Sequence, residues 1–165
     1  MAKKAQKARK QTKSAPKRAA AKPKATKRAK PAPAAKGQGL VSVAPGFTVN
    51  DAEKSVAWYR DVLGFTVKQR WEPEGRFVGA EMASGAVTLN LGQDDWKLGR
   101  DRLKGQGTRM YIMTGPKIDA FAARIKARGG SLDQEPKDGW GVRYFAIKDP
   151  DGFNLTFMTP LKKRR

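Results

Sequence analysis

Arg76-Phe77-Val78-Gly79-Ala80, running on to Gly85, and Arg143-Tyr144-Phe145-Ala146-Ile147, running on to Gly152, are two statements of one pattern. Each opens on arginine, continues as a β-like run and closes on glycine, and Trp71 and Trp140 precede them by five and three residues. Before the first copy, Val41 to Val49 reads as a strand made irregular by Pro45 and Gly46. Asp51 is then placed to cap a helix, Val56, Tyr59, Val62 and Leu63 fall at helical spacing, and Gly64 supplies the stop. Before the second copy, Thr108 to Met113 reads as a strand. Ile118, Phe121, Ala122 and Ile125 share one face of a helix that ends at Gly129-Gly130. Three β-like runs follow each helix: Phe65 to Trp71, Arg76 to Met82 and Ala86 to Leu91, then Ser131 to Leu132, Val142 to Ile147 and Phe153 to Met158. The expected fold is α+β, a duplicated βαβββ unit with modules at about 40–92 and 107–160 in one domain, 40–161.

Composition narrows the chemistry. The chain of 165 residues has neither His nor Cys, which excludes imidazole bases, thiol nucleophiles, disulfides and zinc sites built on N or S ligands. No apolar run approaches the ~20 residues a membrane helix needs, and no secretory h-region is visible at the start. The sequence therefore predicts no membrane partner and a cytoplasmic protein.

The net charge of +20 is concentrated at the ends. Residues 1–36 carry fourteen cations and no acid: Lys3, Lys4, Lys7, Arg9, Lys10, Lys13, Lys17, Arg18, Lys22, Lys24, Lys27, Arg28, Lys30 and Lys36. Residues 162–165 add four more, and the body between is nearly neutral. Apart from Met1 the first segment has no large apolar side chain, so it cannot offset the roughly 1–2 kcal/mol per residue that ordering costs. Residues 1–39 are expected to be a disordered tail and hinge. Cations along a flexible Ala/Pro chain suit sequence-independent contact with phosphates, and the composition is similar to the tails of linker histones and bacterial nucleoid proteins. An organelle transit peptide and a plain solubilising extension are the competing readings. The first predicts non-specific nucleic-acid binding and nucleoid association.

Phe47-Thr48-Val49-Asn50-Asp51, the run from Ser55 through Trp58-Tyr59-Arg60-Asp61-Val62-Leu63-Gly64-Phe65, Trp140-Gly141, Phe145 and Asp149-Pro150-Asp151-Gly152-Phe153 give the body a resemblance to the vicinal oxygen chelate superfamily. That superfamily includes glyoxalase I, extradiol dioxygenases and bleomycin-resistance proteins. The resemblance implies curved mixed sheets around one cavity, often within a homodimer. It also implies a divalent metal held by His, Gln or Glu at positions that fall here on Ala44, near Met110, and on Asn90 and Thr156. Those side chains are poor ligands for a catalytic transition metal, so no cofactor and no inherited metal site is expected. Glu72, Glu74, Glu81, Asp94 and Asp95 are the acids left for a displaced oxygen-ligand site, and solvated surface charge accounts for them more simply.

What remains is a metal-free cavity for an unidentified small molecule. Alternation places Val87, Leu89 and Leu91 opposite Thr88 and Asn90, and Phe153, Leu155 and Phe157 opposite Asn154, Thr156 and Met158. The apolar faces should pack under the helices, leaving the mixed faces for ligand. Trp71 and Trp140 suit stacking on a planar ligand; Tyr111, Tyr144, Asn90 and Thr156 suit hydrogen bonding to it. The expected function is small-molecule binding of the bleomycin-resistance kind, with nucleic acid held by the tail. The alternatives are a lyase, isomerase or dioxygenase-like enzyme, with Glu81 the first suspect, and a nucleoid-associated scaffold. Gly92 to Gly107 reads as lid, dimer contact or linker, and Asp149-Pro150-Asp151-Gly152 as a turn.

Overall fold

The computed structural model describes residues 42–100 and 102–162. The tail and all its candidate nucleic-acid contacts, from Lys3 to Lys36, lie outside the described residues, as do residues 163–165 of the C-terminal basic run. The body contains β1 (Gly46–Val49), α1 (Ala52–Asp61), β2 (Thr66–Trp71), β3 (Gly79–Ser84), β4 (Val87–Gln93), β5 (Arg109–Met113), α2 (Ile118–Ala127), β6 (Leu132–Gly139), β7 (Val142–Lys148) and β8 (Asn154–Pro160). Two four-stranded sheets result, ordered β1-β4-β3-β2 and β5-β8-β7-β6. β1 runs parallel to β4 and β5 parallel to β8, while the other pairings are antiparallel. The duplicated α+β unit read from the sequence is thus the fold.

The helices form where the spacing places them. Asp51 caps α1, its carboxylate accepting the Lys54 N–H at 3.0 Å, and Gly64 turns the chain away at φ +78°. Val56, Tyr59, Val62, Leu63, Ile118, Ala122 and Ile125 enter one core with Leu89 and Leu91 of β4 and Leu155 and Phe157 of β8. Phe47 stacks on Phe153 with ring centroids 4.3 Å apart, so the core is continuous between modules.

Three boundaries differ from the sequence expectation by three residues or more. The first strand begins only at Gly46: Pro45 accepts from Asn90 N–H at 2.8 Å but has no N–H of its own to donate, and residues 42–44 before it are exposed. β3 starts three residues late: Arg76 N–H bonds Pro73 O in a 3-10 turn, and Val78 N–H bonds Trp71 O. At Gly79, φ is +153° and an added Cβ would collide with Leu91 O, so this start admits only glycine. β6 extends to Gly139 through Asp133, Glu135 and Pro136. A proline and several charges argue against a central strand, but β6 is the sheet edge and its pairing shifts register at two places.

The Asp-Pro-Asp-Gly segment is a turn, and it also ties the modules together. Asp149 Oδ1 accepts the N–H groups of Asp151 and Phe153 at 3.0 and 2.8 Å, while Oδ2 accepts from Tyr59 Oη at 2.9 Å. Asp151 accepts from Asn50 N–H at 2.8 Å and Ser55 Oγ at 3.1 Å. The connector after β4 folds on itself: buried Asp94 accepts from Trp96 N–H, Arg102 and buried Lys104, and the Arg100 guanidinium lies 4.6 Å from the Trp96 ring centroid. Asp94 is therefore not the solvated charge expected of it.

Candidate functional site

Each sheet has one face under its helix and one open face, because side chains alternate along a strand. Leu89 and Leu91 of β4, and Leu155 and Phe157 of β8, are buried, whereas Thr88, Asn90, Asn154, Thr156 and Met158 are half-exposed on the other side. The division expected from the two strand sequences is the one observed.

On the first sheet, register sets Thr48, Gly92, Gly79 and Trp71 in one row across the open face, and Gly46, Asn90, Glu81 and Gln69 in the next. Trp71 lies over Gly79, whose missing side chain leaves room for the indole. The face is lined chiefly by small residues, with Trp71 as a wall and Asn90 beside Glu81. The Glu81 carboxylate accepts from Lys68 Nζ at 2.8 Å.

On the second sheet, Tyr111, Thr156, Ala146 and Gln134 form one row, and Met113, Met158, Tyr144 and Lys137 the next. Trp140 follows at the tip of the β6–β7 hairpin and stacks on Tyr144, ring centroids 5.3 Å apart and planes 28° apart. Trp140 and Gly141 both have positive φ, +50° and +78°, the geometry of a two-residue turn that normally takes Asn-Gly or Gly-Gly. Trp140 is 90% exposed, Tyr111 61% and Met113 57%, so a single chain leaves an uncovered apolar patch here. The Lys137 ammonium lies 5.5 Å from the Tyr144 ring centroid.

Of the six ligand-binding candidates, Tyr111, Tyr144, Trp140 and Thr156 come together on the second sheet, and Trp71 and Asn90 lie apart on the first. Met113, Met158 and Lys137 join the second group; Met158 is on the mixed face that alternation reserves for ligand, whereas sequence reasoning does not single out Met113 or Lys137. The alternations Tyr111-x-Met113 and Thr156-x-Met158 are the signal that could find the methionines. Two clefts among the described residues, of about 550 Å³ between the modules and about 280 Å³ beside the Lys104–Arg109 segment, take in neither Asn90 nor Thr156. The polar-lined cavity expected around those two residues is, in one chain, two open faces.

The positions where the resemblance puts metal ligands do not fit a metal. Ala44 is exposed ahead of β1, and Met110 packs against the core instead of facing outward, being one residue out of phase with Tyr111. Asn90 and Thr156 offer only an amide and a hydroxyl. Among the described residues, no three acids converge as metal ligands do; Glu72, Glu81, Asp94 and Asp95 are each paired to a cation.

The sequence profile of the glyoxalase/bleomycin resistance protein/dioxygenase superfamily matches residues 39–157. The chain belongs to this superfamily. Solved structures with the same fold include TnmS3, an antibiotic binding protein from Streptomyces sp. CB03234, at 23% identity and TM-score 0.60, covering 76% of this chain and all of that one. TioX from Micromonospora sp. ML1 is similar at 20% identity and TM-score 0.60, covering 73% of this chain and 100% of that one. A superfamily member from Nocardioides has 20% identity and TM-score 0.61, covering 79% and 90%. At such identities these likenesses speak for the fold alone. Among curated proteins the sequence has no match. The open face of the second sheet carries four of the six ligand-binding candidates, with Trp140 stacked on Tyr144.

Proposed function

We propose that this superfamily member binds a planar aromatic small molecule on the open face of its second sheet, without metal and without turnover, and that a second copy of the chain closes the site. The observation that carries the reading is Trp140. A bulky, exposed indole occupies a left-handed position at a hairpin tip, where such backbone costs a non-glycine residue of order 1 kcal/mol or more, and its one aromatic partner is Tyr144. Stacking on a flat ligand, with Tyr111 and Thr156 as hydrogen-bonding groups, gives that arrangement a use. The neighbour TnmS3 is an antibiotic binding protein, which supports the same reading.

Shape supports the dimer. One open face carries the Trp140–Tyr144 stack; the other has the small residues Gly46, Gly79, Gly92 and Ala83 alongside Trp71, Asn90 and Glu81. Laid across each other from two copies, they leave a slot of ligand thickness, and the exposed patch is covered. The tail, with its fourteen cations, is the element that associates with nucleic acid.

Titration with metal-free bleomycin and with polycyclic aromatic antibiotics, read by tryptophan fluorescence, tests the proposal. A saturable quench that Trp140→Ala removes is expected, with one ligand per chain in a native mass spectrum of the dimer. A monomer that binds none of these compounds overturns it. The enzymatic alternative draws on the place of Glu81 beside Asn90; its ion pair with Lys68 gives that carboxylate a structural role instead. Glu81→Gln should leave ligand binding unchanged.

A further inference from the structure

The larger of the two clefts lies at the junction of the modules and meets the rows of ligand candidates only at Met113. Its walls are Phe65 and Val87 from the first module and Ile112, Phe121 and Phe157 from the second. At about 550 Å³ it falls within the ~300–1,000 Å³ of pockets that hold small organic ligands. Water in such a space finds few partners, so an apolar ligand body gains by replacing it.

The rim has the opposite character. Lys117 and Arg124 border the cleft, and neither belongs to an ion pair among the described residues. The one acid in the first turn of α2, Asp119, is engaged by Arg143 through contacts of 2.7 and 2.8 Å. The ten-residue helix α2 itself starts at the cleft with Lys117 as its N-cap and no side-chain cap. A lysine at the positive end of a helix dipole is electrostatically unfavourable by itself, and an anion there would meet uncapped N–H groups and the ammonium together. The Arg124 guanidinium lies 5.4 Å from the centroid of the Phe121 ring in the cleft wall, so its charge also borders the apolar space.

We propose that this cleft is a second ligand site, specific for a small amphipathic carboxylate such as a medium-chain fatty acid. The aliphatic body lies on Val87, Ile112, Phe121 and Phe157, and the carboxylate takes Lys117, Arg124 and the start of α2. A neutral chain of the same length leaves the cationic rim unused, and a cationic one is repelled by it.

The test uses the full chain, in calorimetric titration below micelle concentration with decanoate, decanol and decyltrimethylammonium. Decanoate is expected to bind about tenfold more tightly than decanol, the worth of a charge-assisted contact, with no detectable binding of the ammonium. The double variant Lys117→Gln/Arg124→Gln should bring decanoate down to decanol, leaving decanol unaltered. Gly115→Trp places an indole at the cleft, where an added Cβ meets no atom within 4 Å and the backbone is unstrained, so it should abolish both at unchanged melting temperature. Equal affinities for all three in the wild type overturn the proposal because the cationic rim then plays no part, and decanoate binding that persists in Gly115→Trp overturns it by assigning the anion to the basic tail instead. A dimer that dissociates in Gly115→Trp also overturns it, in favour of a face between copies.

Discussion

At Trp140, two small energies of opposite sign meet. The left-handed backbone costs of order 1 kcal/mol, and the stack on Tyr144 returns a similar amount, about 0.5–1.5 kcal/mol. Trp140→Asn should therefore leave the urea midpoint unchanged within about 1 kcal/mol while abolishing aromatic-ligand binding; a large loss of stability would mean that the indole is structural. Gly79 is the opposite case. Gly79→Ala drives a Cβ against Leu91 O and should destabilise by about 3 kcal/mol, measured in the same denaturation. Asp149 gives a pH signature. Burial holds its carboxyl above the ordinary 3.8, outweighing the hydrogen bonds from Phe153 N–H and Tyr59 that favour the anion. The protonated form is thus favoured in the folded state. Its stabilisation is fully present below pH 3.8 and is lost as pH rises through the raised value, so the wild type should lose stability relative to Asp149→Asn across that window. Parallel stability curves for the two proteins would contradict this.

At the scale of elements, the connector between modules has a fold of its own, organised by the Asp94 carboxylate. Hydrogen bonds from Lys104, Trp96 N–H and Arg102 hold that carboxyl far below the usual range, so its contribution is present above pH 3.8 and lost as pH falls through the lowered value. Lys104→Met leaves the buried carboxylate with Arg102 as its remaining cation and should make residues 95–103 several-fold more sensitive to limited trypsin digestion; Asp94→Asn/Lys104→Met should restore much of the resistance. Helix positions are legible in the sequence because a 3.6-residue period and a capping Asp51 are local signals. The burial phase of β4 and β8 is legible for the same reason. β6 is not, since whether Pro136 is tolerated depends on the strand being at a sheet edge, which no stretch of eight residues encodes. Met110 differs from expectation by one residue because phase along β5 is fixed by its pairing with Leu155.

For the whole molecule, charge separates the basic tail, with its fourteen cations, from the nearly neutral body, and the proposed functions divide the same way. Removing residues 1–36 should sharply lower retention on DNA and shrink its salt slope, by up to ~0.9 for each phosphate the tail had neutralised, with aromatic-ligand and decanoate binding unaffected. Equal DNA retention by the truncated chain would place the phosphate-binding groups on the body instead.

The duplicated unit, the superfamily, the helices with their core faces, and the absence of His and Cys are all written in the order of residues. They follow from periodicity, repetition and residue identity, which act over short stretches. Which candidates meet is a matter of how the chain folds back on itself. Tyr111, Tyr144, Trp140 and Thr156 share a face because β7 lies between β6 and β8 and the β6–β7 turn folds Trp140 onto Tyr144. Trp71 and Asn90 belong to the other sheet, and the intermodule cleft lies where Phe65 and Val87 of one module meet Ile112, Phe121 and Phe157 of the other, at the start of α2. Strand order and module packing are set by contacts between residues far apart in the chain, and no local pattern carries them.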